Sequence, residues 1–193
     1  MQPTAENIFK SSIAAAHETL TRLDALQPAV GSAADLIVQC LTTGHKLLVY
    51  GNGGSAADAA DFCTEFACRF DNDRRPYPAL NLSSDGSLLT ATANDYGFDE
   101  VFARQLRAFG SSGDVAIAIT TSGNSKNIRH ALTAAKEQGL SSIALLGRSG
   151  GSCAGTADVD LIVPGTSTAR IQEAHKFLLH VLCEIAEKRL PAR

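Results

Sequence analysis

With 193 residues, 45% of them hydrophobic, the chain is long enough for one domain that buries roughly 70% of its unfolded surface. A formal net charge of -3, with 17 basic residues scattered among 20 acidic ones, excludes an electrostatic footprint for nucleic acid or an anionic membrane and leaves small molecules and proteins as partners. The five cysteines, Cys40, Cys63, Cys68, Cys153 and Cys183, are odd in number and show no C-x-x-C spacing. With no signal-like N-terminal segment and no long apolar run, they point to a reducing cytoplasm.

In chain order, Ile8 or Phe9, Ile13, Ala16, Leu20 and Leu23 recur at three and four and predict one long amphipathic helix over 4–26. Its length at the edge of a small domain suggests packing against a second subunit as well as its own sheet. A second helix is expected from Ser32, as N-cap, to Gly44. The apolar run from Leu47 opens the first strand and breaks into glycines, followed by a helix over 55–70. A short strand over 79–82, a short helical segment near 90–95, and a helix carrying Val101, Phe102, Leu106 and Phe109 come next. A buried strand over 114–119 then leads through a second polar loop into a helix over 126–138. Short strands over 143–146 and 160–163 precede a last helix over 167–190, which Pro191 stops.

Strands alternating with helices predict an α/β three-layer sandwich, a central parallel sheet with helices on both faces and ligands at the C-terminal strand ends. No linker divides it. We read residues 1–193 as a single domain, with 1–44 used partly for oligomerisation and 45–193 as the α/β core.

Both polar loops fall at strand ends. In Gly51-Asn52-Gly53-Gly54-Ser55, three glycines in four residues let the backbone close on a ligand, and the following helix aims its positive end there. A Walker A loop would carry a lysine, and none is present. Gly51-x-Gly53-x-x-Ala56 meets the dinucleotide pattern, but the next strand-end acid, Asp85, lies about ten residues beyond the usual spacing of roughly twenty. The second loop places the hydroxyls of Thr120, Thr121, Ser122 and Ser125 at another helix start, more than an ordinary polar turn with an N-cap requires. Neutral donors in both loops favour a sugar monophosphate over a nucleotide triphosphate with its Mg²⁺ and lysine.

Taken with Asn94-Asp95 and Ala169-Arg170-Ile171-Gln172-Glu173, these loops resemble the SIS sugar-isomerase family and, within it, the bacterial phosphoheptose isomerases, over nearly the whole chain. The resemblance implies a homotetramer that converts sedoheptulose 7-phosphate to D-glycero-D-manno-heptose 7-phosphate and uses no nucleotide. It implies substrate contacts at Asn52, Gly53, Gly54, Ser55, Glu65, Asn94, Asp95, Thr120, Thr121, Ser122, Ser125 and Gln172, and a catalytic pair, Glu65 and His180. It also implies one zinc ion per subunit on the positions of Asp61, Glu65, Gln172 and His180. Here the chain departs from its relatives: Asp61 stands where they carry a histidine, and Ala169 replaces an acid found in some of them. Other members of the family are non-catalytic scaffolds that bind the replication initiator and lack the glutamate at the position of Glu65. A scaffold or sugar-phosphate sensor is therefore the alternative function, with a dinucleotide enzyme third.

The chemistry supports the pair separately, because ketose-aldose isomerisation needs a base to carry a proton between C1 and C2 and an acid to manage the oxygens. Glu65 could equally be a surface charge, although Phe62, Cys63, Phe66 and Ala67 around it predict partial burial. Apart from the resemblance, the apolar neighbours Leu178, Leu179, Val181 and Leu182 favour a core histidine at His180 over a catalytic one, and His17, His45, His130 and His175 read as surface or packing residues. Glu65 lies ten residues past Ser55, which leaves about 10 Å between phosphate and base and suits a long sugar phosphate. Gln172 and His180, eight residues apart on one helix, stand roughly 12 Å apart along its axis, too far for one metal, so a site holding both is expected to span two subunits.

Overall fold

The computed structural model describes residues 2–191. Helix α1 (Ala5–Thr21) starts at Thr4, whose hydroxyl accepts from the Asn7 N–H at 3.3 Å. The chain tightens into a 3-10 segment, Arg22–Leu26, and continues as α2 (Gln27–Thr42). The single helix expected over 4–26 is thus interrupted after Thr21, and the second begins at Gln27 rather than at Ser32. Pro28 sets that start, where its missing N–H is not needed, and Ser32 donates back to the Pro28 carbonyl at 3.2 Å instead of capping. Helix α1 packs on the last helix, yet Ile8, Phe9, Ile13 and Leu20 stay exposed, Phe9 by 67%. Its apolar stripe is not covered by its own sheet.

Five strands, β1 (Leu47–Gly51), β2 (Ala79–Asn81), β3 (Val115–Thr120), β4 (Ser141–Gly147) and β5 (Val159–Val163), form one parallel sheet in the order β2-β1-β3-β4-β5. The helices between them are α3 (Gly54–Ala67), α4 (Gly86–Tyr96), α5 (Ala103–Phe109), α6 (Lys126–Glu137) and α7 (Thr168–Arg189). Strands β1 and β3 are apolar without alternation because both faces are covered. Leu47, Val49, Ile117 and Leu145 face a core shared with α2, α3 and α7. Leu48, Tyr50, Ala118 and Leu146 face a second core, filled by Phe102 and Leu106 of the α5 region and by Ile128 and Leu132 of α6. Among the described residues no helix is long and apolar enough to cross a membrane.

Two boundaries bear on the site. Helix α3 stops at Ala67 because buried Arg74 donates to the carbonyls of Glu65 and Phe66, placing a cation on the negative end of the helix. Arg74 also lies 3.3 Å from Glu187 of α7, which pins α3 to α7. Asp85 caps α4 by accepting from the Leu88 N–H at 3.0 Å, so this acid starts a helix and is not held for a ribose.

The buried histidine of α7 is His175, not His180. His175 is fully buried, its Nε2–H donates to the Leu146 carbonyl at 3.1 Å, and its Nδ1 has no hydrogen-bond partner among the described residues. Burial, only partly offset by that carbonyl, lowers its pKa from 6.5 to about 4. The unfolded chain therefore binds the proton more readily. The stability contributed by the neutral ring is complete above about pH 6.5 and is lost as the pH falls toward 4. Chemical denaturation at pH 7 and pH 4.5 should show an acid loss of about 2 to 3 kcal/mol that is reduced in His175→Gln; an identical acid loss in that variant would remove His175 as its source.

Candidate functional site

The strand order makes the chain leave β1 toward β2 and return on the other side as β3, so the connections of these adjacent strands diverge at their C-terminal ends. A crevice between them is the expected ligand position in such a sheet. Both polar loops border it.

After β1, Gly53 takes the left-handed φ of 56° that the reversal into α3 requires. The N–H groups of Ser55, Ala56 and Ala57 turn back onto the Asn52 and Gly53 carbonyls. They are not free for an anion, contrary to the simplest reading of a helix start. Gly53 and Gly54 are exposed at this turn, and Ser55 is buried beneath it. A Cβ at Gly54 would meet the side-chain amide of Gln172. This brings Gln172, from the far end of the chain, onto the loop.

After β3, the Thr120 hydroxyl lies 3.3 Å from Ser122 Oγ and 3.2 Å from Ser125 Oγ, so three of the four expected hydroxyls converge. Thr121 takes no part in that cluster; its carbonyl packs against Gly147. Gly123, with φ of 66°, lets the loop press on the Gly150 backbone. Asn124 fastens it by accepting from the Ser152 N–H at 2.9 Å.

The first loop is joined to the start of α6, just past the second loop, by a pair of amides that sequence reasoning missed. Asn52 Nδ2 donates to Asn127 Oδ1 at 3.0 Å, and Asn127 Nδ2 donates back to Asn52 Oδ1 at 2.9 Å. Asn127 is buried in the first turn of α6, and a buried amide at a helix start beside a loop amide was the available signal. Asn94 and Asp95 lie exposed on the last turn of α4, bonded to each other at 2.8 Å, and no hydrogen bond ties them to either loop.

Below the loops, α3 and α7 run side by side. Ser55, Asp58, Asp61 and Glu65 share one face of α3, and Gln172, Lys176 and His180 share one face of α7, as their spacing dictates. The pairing runs in step: Gln172 stands over Gly54, Lys176 binds Asp61 Oδ2 at 2.5 Å and Asp58 Oδ1 at 3.1 Å, and the ring of His180 lies 6.0 Å from that of Phe70. Glu65 is half-buried, as expected, whereas His180 is exposed and not a core residue. Burial opposes the Lys176 charge, but the bonds to Asp61 and Asp58 outweigh it and raise its pKa. A cleft of about 480 Å³ opens here, lined by Asp58, Ala169, Gln172, Glu173 and Lys176. The neighbouring Arg170 is engaged elsewhere, donating to the Ser12 carbonyl of α1 at 2.7 Å.

A zinc ion would need Asp61, Glu65, Gln172 and His180 within about 2 Å of one point. The Asp61 carboxylate already holds an ammonium, and Gln172 and His180 sit at different levels of the α3–α7 pairing. Among the described residues, no three His, Cys, Asp or Glu side chains form a group able to hold a metal. Within one chain the donor set does not fit the ion.

The SIS domain family model matches residues 12–147. The phosphoheptose isomerase of Citrifermentans bemidjiense is 48% identical over 183 residues, covering 94% of this chain and 95% of that protein. The structures of the phosphoheptose isomerases of Neisseria gonorrhoeae and Francisella tularensis superpose with a TM-score of 0.90 each, at 42% and 36% identity, covering 96% of this chain and all of each of theirs. The sheet order and these likenesses agree: the chain belongs to the SIS domain family and, within it, to the phosphoheptose isomerases.

Proposed function

We propose that this chain interconverts sedoheptulose 7-phosphate and D-glycero-D-manno-heptose 7-phosphate. The observation that carries the reading is the cradle of two joined loops on the fold of the phosphoheptose isomerases, with α3 leading away from it to a half-buried carboxylate. The phosphate is the handle, held by Ser55, Thr120, Ser122 and Ser125 and by the backbone at Gly53 and Gly54, with Asn52, Thr121, Asn94, Asp95 and Gln172 completing the substrate contacts. Glu65 removes the C1 proton and returns it at C2, while His180 moves the proton between the two oxygens. No atom or electron is gained or lost, so no nucleotide is needed. The spacing of about 10 Å from Ser55 to Glu65 matches a seven-carbon chain and not a triose phosphate.

Glu65 and His180 come from different chains of a homotetramer in this reading. Support comes from the separation of Gln172 and His180 along α7, and from the open apolar stripe of α1. That stripe is continued by Phe177, which is 48% exposed, and by a groove of about 860 Å³ lined by Leu20, Leu23, Val30, Phe177 and Val181. The run 177–182 supplies less of this surface than its sequence suggests, because Leu178, Leu179 and Leu182 are buried in the chain's own core. The protein works in the cytoplasm, consistent with unpaired Cys40, Cys63, Cys68, Cys153 and Cys183.

The test is incubation with sedoheptulose 7-phosphate and chromatographic separation of the heptose phosphates; a scaffold or sensor would bind the sugar and leave it unchanged. For the cradle, Ser55→Ala and Ser122→Ala should each weaken substrate binding by roughly 1.5 to 3 kcal/mol, the value of a hydrogen bond to a charged group. Calorimetric titration measures this, and unchanged affinity in both variants would sink the phosphate assignment.

A further inference from the structure

Nothing in the sequence marks Lys176, which sits one turn past Gln172 on the face of α7 turned to α3. Its ammonium joins two carboxylates, and one of them is unusual. Asp58 is 3% exposed, and its Oδ2 has no hydrogen-bond partner among the described residues. Its Oδ1 lies 3.1 Å from Lys176 Nζ. A buried carboxylate so poorly supplied is costly to keep charged, and an ammonium beside it is the group that makes the charge tolerable. The same ammonium takes Asp61 Oδ2 at 2.5 Å. Two carboxylates and one ammonium leave a single net negative charge where two would otherwise stand.

This trio belongs to the site and not to a remote surface. Asp58 and Lys176 line the same cleft as Ala169 and Gln172, whose amide touches Gly54 of the phosphate loop. Asp61 lies one turn before Glu65 on the same face of α3. A divalent ion bound through Asp61 would have to evict the ammonium or stand against it.

We propose that Lys176 is the resident cation of the isomerase site: it holds Asp58 and Asp61 in place beside Glu65 and excludes a divalent metal from Asp61. The proposal rests on the isomerase reading for its place in catalysis, but the exclusion of metal does not depend on that reading. Lys176 is a positioning residue, acting on the proton transfer through the carboxylates of α3. The aspartate at position 61, where the family resemblance implies a histidine, then has a physical reason. A carboxylate pairs with an ammonium where an imidazole does not.

The test is equilibrium dialysis of the chelator-treated, full-length oligomer against micromolar zinc, with metal content read by atomic spectroscopy. The parent protein should take up no zinc dependent on Asp61, and its turnover should be unaffected by chelation or by added zinc. Lys176→Met should take up about one zinc per subunit, as freed carboxylates allow, and this uptake should vanish when Asp61→Ala is added. Its turnover should fall about 100-fold, as when a reacting group is misplaced by about 1 Å. Lys176→Arg, which keeps the charge, should still refuse zinc. Stoichiometric zinc in the parent that is lost in Asp61→Ala overturns the proposal, and so does a folded Lys176→Met that takes up no more zinc than the parent. Should Lys176→Met fail to fold, parent and Asp61→Ala still decide whether Asp61 binds metal. Absence of isomerisation in the parent, with zinc refused as expected, would overturn the isomerase reading and leave the metal exclusion standing.

Discussion

Glu65→Gln should turn over sedoheptulose 7-phosphate about 10² to 10⁴ times more slowly than the parent protein, the span usual for losing a general base, while binding it with nearly unchanged affinity. The amide keeps the shape of the carboxylate and cannot accept the C1 proton. Local structure should survive the change, because what fixes this turn of α3 is its backbone: Arg74 donates to the Glu65 and Phe66 carbonyls and is itself held by Glu187. The measurement pairs kcat with calorimetric affinity and a melting temperature. A variant with parental kcat would remove Glu65 from the chemistry, and one with lost binding and parental melting would make it a substrate contact instead of the base.

His180→Ala should be nearly as damaging, with kcat reduced by about 10² to 10⁴, and it gives access to the assembly. If Glu65 and His180 of one site come from chains related by a twofold axis, two dead variants can repair each other. Dissociating Glu65→Gln and His180→Ala oligomers, mixing them in equal amounts and refolding should restore activity in about one quarter of the sites, since half of the random pairs are mixed and one of the two sites in each regains both residues. Unmixed controls should stay inactive. Mixed oligomers verified by mass with no recovered turnover would place the pair within one chain.

Much of this architecture could be read from pattern alone. The apolar runs at Leu47 and Val115, each breaking into a polar loop and a helix, marked the two strands that flank the crevice, because a parallel strand covered on both faces leaves few other readings. The ends of the helices were less legible. Nothing local to Thr21 announces the 3-10 segment, and Pro28, not Ser32, governs the start of α2. The site divided in the same manner. Ser55, Ser122 and Ser125 could be proposed from the sequence because the chemistry they offer is local to a loop. Asn127, Asp58 and Lys176 were not, because each acquires its meaning from a partner 75, 118 or 115 positions away. His175 and His180 show the same limit: they lie five positions apart on one helix, and only the packing of α7 on the sheet decides which is buried.

The reciprocal amides of Asn52 and Asn127 have a kinetic consequence. Loops that a ligand must first assemble gate their own occupancy, and the encounter rate then reports the slow arrangement of backbone. Here the two walls of the cradle are bolted together across the crevice, so the conformational entropy of forming it is spent at folding and not at each catalytic cycle. Phosphate should arrive and leave as from a rigid dish, with an association rate governed by diffusion and charge, and loosening the bolt should appear first as a slower approach.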